Sequence, residues 1–210
     1  MYRYTIPRFL PWLFPQVTWH NDRQEPMVHL TFDDGPEPEV TPWVLDTLDR
    51  FKARGTFFCV GENIKNHPEL FKEIIDRGHA VGNHTYNHLN GWKTSMANYV
   101  ENVDLCQTLM VSNGVKWKTR PFMRPPYGRI KPMQICKLLP DFKIIMWDVL
   151  TCDFLSTVQP ELSLKASIEA TRYGSIVIFH DSLKAKRNLT YILPRYLEYF
   201  SERDCAFSCL

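Results

Sequence analysis

"HLTFDDGPEP", His29 to Pro38, is the stretch on which the reading of this chain turns. Val28 to Phe32 is rich in apolar, β-branched and aromatic residues, the composition of a strand. Gly35 and Pro36 then turn the chain, so the strand ends on two adjacent carboxylates, Asp33 and Asp34. Such neighbours repel each other and lose solvation if buried. Either they cap a solvated turn or they face a positive charge.

Outward from that stretch the same alternation recurs. Strand-like runs appear at "TFFCV" (56–60), "HAVGN" (79–83), "RPFMR" (120–124), "FKIIMWDV" (142–149), "SIVIF" (175–179) and "CAFSCL" (205–210). Helical spacing fills the intervals. Thr41-Pro42 opens one helix that Gly55 stops, and Pro68 to Gly78 repeats the scheme. Further helices are expected within 95–114, 131–140, 162–174 and 189–204, with Pro194 starting or kinking the last. Seven strands with six intervening helices imply an α/β fold on a parallel sheet, either a barrel-like (β/α) array or an open doubly wound sheet. In both, chemistry collects where strands end and loops toward helices begin.

The length of 210 residues fits one domain, and 44% hydrophobic with 23% charged residues is an ordinary globular balance. A formal net charge of +2 offers no basic stripe for nucleic acid and no argument for an anionic membrane. No stretch is long and apolar enough for a spanning helix. Residues 1–25 are read as an aromatic-rich arm packing on a domain of residues 26–210, with a peripheral membrane contact as the alternative. Arg3 and Arg8 precede a short apolar patch, but Pro7, Pro11 and Pro15 interrupt it and no cleavage site follows, which favours the cytoplasm over the cell envelope. The six cysteines form no CxxC pair, so they read as buried thiols and not as a zinc knuckle or a disulfide framework.

The polar residues then fall at strand ends: Asp33 and Asp34 after the first, His84 and His88 after the third, Arg124 after the fourth, Asp148 and Asp153 along the fifth, His180 and Asp181 after the sixth. His84 and His88 are four apart, which on a helical turn puts both imidazoles on one side. With a neighbouring carboxylate they make a two-histidine, one-carboxylate site that leaves positions open for water and substrate. A divalent ion also accounts for the paired aspartates: one ligates, and the other stays ionised beside it, able to take a proton from water.

"TFDDG", "HTYNH", "RPPYG", "WDVLTCDF" and "IVIFHD" stand in the order and spacing of the polysaccharide deacetylase family (the NodB-homology domain, carbohydrate esterase family four), which this chain resembles from Val28 to Asp181. The resemblance implies a distorted, incomplete (β/α) barrel of about seven parallel strands and metal-dependent removal of acetyl groups from a carbohydrate substrate. Carried over by position, Asp33 is the general base, and Asp34, His84 and His88 hold Zn2+ or another divalent ion such as Co2+ or Ni2+. Arg124 orients Asp33, His180 is the general acid steadied by Asp153, and the Tyr127 N–H joins an oxyanion hole. Phe154 and Ile178 line a slot for the acetyl methyl.

The fourth motif departs from the family pattern. Leu150 and Phe154 stand where the family usually has aspartate and tryptophan, and Asp148, two residues earlier on the same strand face, is a candidate replacement. Two other readings keep the site: hydrolysis of O-acetyl sugars or small amides, and a non-catalytic, metal-containing carbohydrate-binding domain. Oligomeric state is not legible.

Overall fold

A computed structural model of the chain describes residues 4–7 and 9–210. Its strands are β1 (Met27–Asp33), β2 (Gly55–Cys59), β3 (Ala80–Asn83), β4 (Phe122–Met123), β5 (Lys143–Ile144), β6 (Val149–Leu150), β7 (Ile176–His180) and β8 (Ala206–Phe207). They form one parallel sheet in the order β5-β4-β3-β2-β1-β7-β6, with β8 beside the start of β1. The helices are α1 (Leu10–Leu13), α2 (Thr41–Arg50), α3 (Gly61–Asn66), α4 (Pro68–Asp76), α5 (Met96–Ser112), α6 (Pro132–Leu138), α7 (Pro160–Ala170) and α8 (Lys186–Ser201).

The sheet curls, and the chain itself requires it. A flat sheet of seven strands would part its edges by about 29 Å. Yet β5 and β6 lie on opposite edges and are joined by only Ile145 to Asp148, a span of at most about 18 Å. The result is the expected incomplete (β/α) barrel. It also corrects the expectation of one strand over 142–149: that run is two short strands, one on each edge.

The arm covers the gap left between those edges. Thr18 donates from its N–H to Ile144 O at 2.9 Å and accepts from Met146 N at 2.7 Å, and Leu150 N bonds Tyr4 O at 2.9 Å. Met1, Tyr2, Arg3 and Arg8 lie outside the described residues.

Strand alternation divides the interior. Val28, Leu30 and Phe32 of β1 point outward into the main core, against Val44, Leu48, Leu189 and Tyr196 of α2 and α8. His29, Thr31 and Asp33 point into the curl, where Phe58, Ile145 and Ile176 make a small apolar plug. Helix α8 runs through Pro194 without a break. Four of the six cysteines are buried free thiols, but Cys136 is exposed and Cys209 half-buried, because the first lies on the outer face of α6 and the second in the C-terminal tail.

Candidate active site

The turn after β1 is held from three sides. Asp181, buried just beyond β7, accepts from Gly35 N at 3.1 Å and from the Thr41 hydroxyl at 2.6 Å, tying the turn to the start of α2. A side chain at position 35 would collide with that carboxylate, so glycine is required there. Asn63 of α3 donates to the Asp34 carbonyl at 2.7 Å, and Asp34 itself takes the left-handed conformation, φ 84°. These bonds turn the Asp34 side chain into the mouth of the curl while Asp33 stays on the strand.

His84 and His88 meet there, but not on a helix. Residues 84–90 are a loop in which Thr85 and His88 both take left-handed φ values, 61° and 54°. Asn102 of α5 holds that loop, accepting from Tyr86 N at 2.8 Å and Asn87 N at 3.0 Å through its Oδ1. The Thr85 hydroxyl accepts from Leu89 N at 2.9 Å. The spacing of four therefore converges through a looped backbone, because backbone N–H groups that a helix would use are captured by side chains.

The ring nitrogens are committed in a way that suits a cation. His84 Nδ1 donates to Arg124 O at 2.9 Å and His88 Nδ1 is bonded to the Tyr127 hydroxyl at 3.0 Å. Both Nε2 atoms are left facing Asp34 Oδ1, at 3.6 and 3.1 Å. Burial lowers the His84 pKa to about 4, despite the opposing carboxylates of Asp33 and Asp34, so the ring is neutral and its Nε2 lone pair available. Burial alone would raise the Asp34 pKa; the His88 hydrogen bond and the nearby charge of His180 outweigh it and hold the carboxyl well below the usual range. The three ligand atoms lie within 4.8 Å of one another. Two imidazoles and one ionised carboxylate at this spacing, each ring braced through its second nitrogen, fit a divalent transition metal.

Asp33 is not needed as a ligand. Its Oδ1 receives the Arg124 guanidinium at 2.7 Å, while Oδ2 stands 4.0 Å from His84 Nε2. Arg124 is completely buried. Its remaining donors go to the Thr31 hydroxyl at 2.7 Å, Met146 O at 3.0 Å and Ile145 O at 3.4 Å, and its plane lies 4.0 Å from the Phe58 ring centroid. Burial lowers the Arg124 pKa, and the Asp33 carboxylate and its hydrogen bond oppose the drop.

His180 stands opposite Asp33 in the β1–β7 register. Asp153, fully buried, accepts from His180 Nδ1 and from His180 N, both at 2.8 Å, fixing tautomer and ring orientation. Burial opposes charging His180, but the Asp153 carboxylate and its hydrogen bond, with Asp34 and Asp33 further off, raise the pKa to about 9. The imidazolium is the form present at neutral pH.

These groups surround a pocket of about 420 Å³. Asp33, Asp34, His84, His88, Tyr127, Phe154, Ile178 and His180 all line it, and Arg124 and Asp153 stand behind Asp33 and His180. All ten residues singled out from the sequence thus come together. Asp148 does not. It bonds Ile176 N and the Ser175 hydroxyl and pairs with Arg23, at the end of β7 away from His180. It replaces nothing at the site, where Leu150 leaves an apolar wall. Sequence reasoning missed Asn63, Asn102, Thr31, Asp181 as a brace, and Trp147 and Lys184 in the lining. Of these only Asp181 carried a signal, its place beside His180.

Comparison with known proteins agrees with the geometry. The family model described as polysaccharide deacetylase matches residues 20–139. A peptidoglycan-N-acetylglucosamine deacetylase of Bacillus cereus is 41% identical over 196 residues, covering 91% of this chain and 89% of the relative. Another from the same species is 39% identical over 156 residues, and there the match takes in 74% of this chain but only 56% of the relative's length. Among solved structures, a peptidoglycan N-acetylglucosamine deacetylase in complex with 4-naphthalen-1-yl-N-oxidanyl-benzamide superposes with a TM-score of 0.88 at 27% identity, over 98% of this chain and 95% of that one. A family pseudoenzyme from Bacillus anthracis shares the fold, with a TM-score of 0.81 at 23% identity over 91% of this chain and 66% of that one. On the match of the family model and the relative that it covers almost end to end, this chain belongs to the polysaccharide deacetylase family.

Proposed function

We propose that the chain is a metal-dependent hydrolase that removes acetyl groups from the N-acetylglucosamine units of a glycan of the peptidoglycan or chitin type. The observation that carries this reading is the division of labour between the two adjacent aspartates: Asp34 faces both imidazoles, while Asp33 is ion-paired with Arg124 and free of any ligand duty. The relatives' activities, named for peptidoglycan N-acetylglucosamine, support the choice of substrate.

Asp34, His84 and His88 would hold the ion, which when bound supplies Lewis acidity to a water and to the acetyl carbonyl. Asp33, held in place by its ion pair with Arg124, accepts the proton of the attacking water. His180, charged through Asp153, gives a proton to the departing amine. Phe154, Ile178 and Leu150 receive the acetyl methyl on apolar walls, and the Tyr127 N–H donates to the developing oxyanion, a contribution of roughly 3 kcal/mol for a donor of this kind. Acetate leaves and a free amine remains on the sugar. The intact base and acid favour this over a non-catalytic binding domain.

The test is acetate release from N-acetylchitooligosaccharides and from peptidoglycan, before and after chelation. Loss of activity on chelation, with recovery on adding back Zn2+, Co2+ or Ni2+, is the expected result. Undiminished turnover after exhaustive chelation, with no metal left by elemental measurement, would overturn it.

A further inference from the structure

A second cleft, of about 470 Å³, opens beside the catalytic pocket and shares Tyr127, Gly128 and Trp147 with it. One wall is the arm, through Ile6, Leu10 and Phe14; Trp19, Met146 and Ile130 form much of the rest. Among the described residues, no charged side chain lines it. Its polar side-chain groups are largely spent on the protein: the Trp19 indole donates to Phe14 O at 3.0 Å, the Trp92 indole to Ile130 O at 3.2 Å, and the Tyr127 hydroxyl bonds His88. A sugar ring placed there would lose the solvation of its hydroxyls and gain in return little beyond stacking on the indole faces. A hydrocarbon chain would lose nothing and bury apolar surface on every side.

The same arm carries more apolar surface outside the cleft. Phe9, Trp12 and Leu13 are 58%, 79% and 50% exposed, so α1 is apolar both where it lines the cleft and where it faces outward.

From the apolar lining and its continuity with the catalytic pocket, we propose that the cleft receives the hydrocarbon chain of an amphiphilic substrate whose acetylated sugar sits between Asp33 and His180. The inference rests on the deacetylase reading above for the sugar end alone. The chain leaves the catalytic pocket past Tyr127 and Gly128 and lies between the arm and the Ile130 side. The site thus distinguishes substrates by their aglycone as well as by their acetyl group.

The experiment is calorimetric binding of the methyl and octyl β-glycosides of N-acetylglucosamine, the octyl compound below its micelle concentration, to the full chain. It is repeated on Leu10→Asn and Ile130→Asn, changes on facing walls outside the catalytic groups, with deacetylation of a short chitooligosaccharide followed in parallel. The octyl glycoside should bind at least about tenfold tighter than the methyl, as burial of several methylenes dictates. Both variants should lose most of that gain and keep chitooligosaccharide turnover. Equal affinity of the two glycosides, or a gain that survives both substitutions, would overturn the cleft assignment while leaving the deacetylase reading intact. Failure of all acetate release with the octyl preference retained would instead remove the activity and keep the cleft.

Discussion

Arg124 and His180 show how single side chains are set for their tasks by what surrounds them. A guanidinium with no exposure is tolerable only because Asp33, Thr31 and two backbone carbonyls take its donors. Arg124→Met leaves Asp33 buried without its partner, and urea unfolding should register a loss of about 3–5 kcal/mol together with loss of activity. An unchanged midpoint would mean the pair is not buried as described. For His180 the sign runs the other way from most buried histidines. Its folded pKa of about 9 lies above the ordinary 6.5, so the charged pair with Asp153 stabilises the fold fully below pH 6.5, and that contribution fades as pH rises through about 9. On the proposed mechanism the same titration removes the proton donor. In Asp153→Asn the raising cause is gone, so the alkaline decline in activity should begin at lower pH, with turnover down by roughly 10²–10⁴ if the acid role is carried by His180. An alkaline limb that stays near pH 9 in the variant would contradict the pairing. Residues of this kind were legible in the sequence because carboxylates and imidazoles at strand ends have few other reasons to be there. Thr31 and Asn63 were not, since each acts through hydrogen bonding to partners distant along the chain.

Elements carry the site by where they stop. Strand β1 ends at Asp33 because Asp181 and Gly35 pull the chain into a turn there, and β7 ends at His180 because Asp153 captures its N–H as well as its ring. The loop after β3 is the least regular of these supports, and it holds two of the three residues proposed to bind the ion. Asn102 reaches it from α5 and takes two backbone N–H groups, while its Nδ2 donates to Asn87 Oδ1 at 3.0 Å. Asn102→Ala should therefore weaken Zn2+ binding by about 10–100-fold in a chelator competition, as losses behind a ligand commonly do. Affinity equal to the native chain would show that the loop holds itself. The alternation of strands and helices was readable from periodicity and from the Thr-Pro and Gly punctuation. The split of 142–149 into β5 and β6 was not. The eight residues hold no glycine or proline to break the run, and only closure of the sheet decides that their two ends pair with different edges. The helical reading of His84 to His88 failed for a related reason: side-chain capture by Asn102 and Thr85 overrides local spacing.

At the scale of the whole molecule, curling is what turns separate strand ends into one site. Asp33 and Asp34 come from β1 and its turn, the histidines from beyond β3, Arg124 from beyond β4, and His180 from β7, and they meet because the edges of the sheet approach to the span of a few residues. The arm, paired through Thr18 and Tyr4 across that gap, fills it with backbone hydrogen bonds and forms one wall of the apolar cleft as well. Such long-range convergence leaves no trace in any short window, and only the five motifs in order made it legible. The proposed division of labour gives three residues the ion and a spare carboxylate the base chemistry. It is tested most directly on Asp33→Asn, by measuring bound metal and acetate release from the same N-acetylchitooligosaccharide on one preparation. Metal content equal to the native chain is expected, with acetate release reduced by at least about 10²-fold. Native turnover in that variant, or loss of the metal along with the activity, would contradict it.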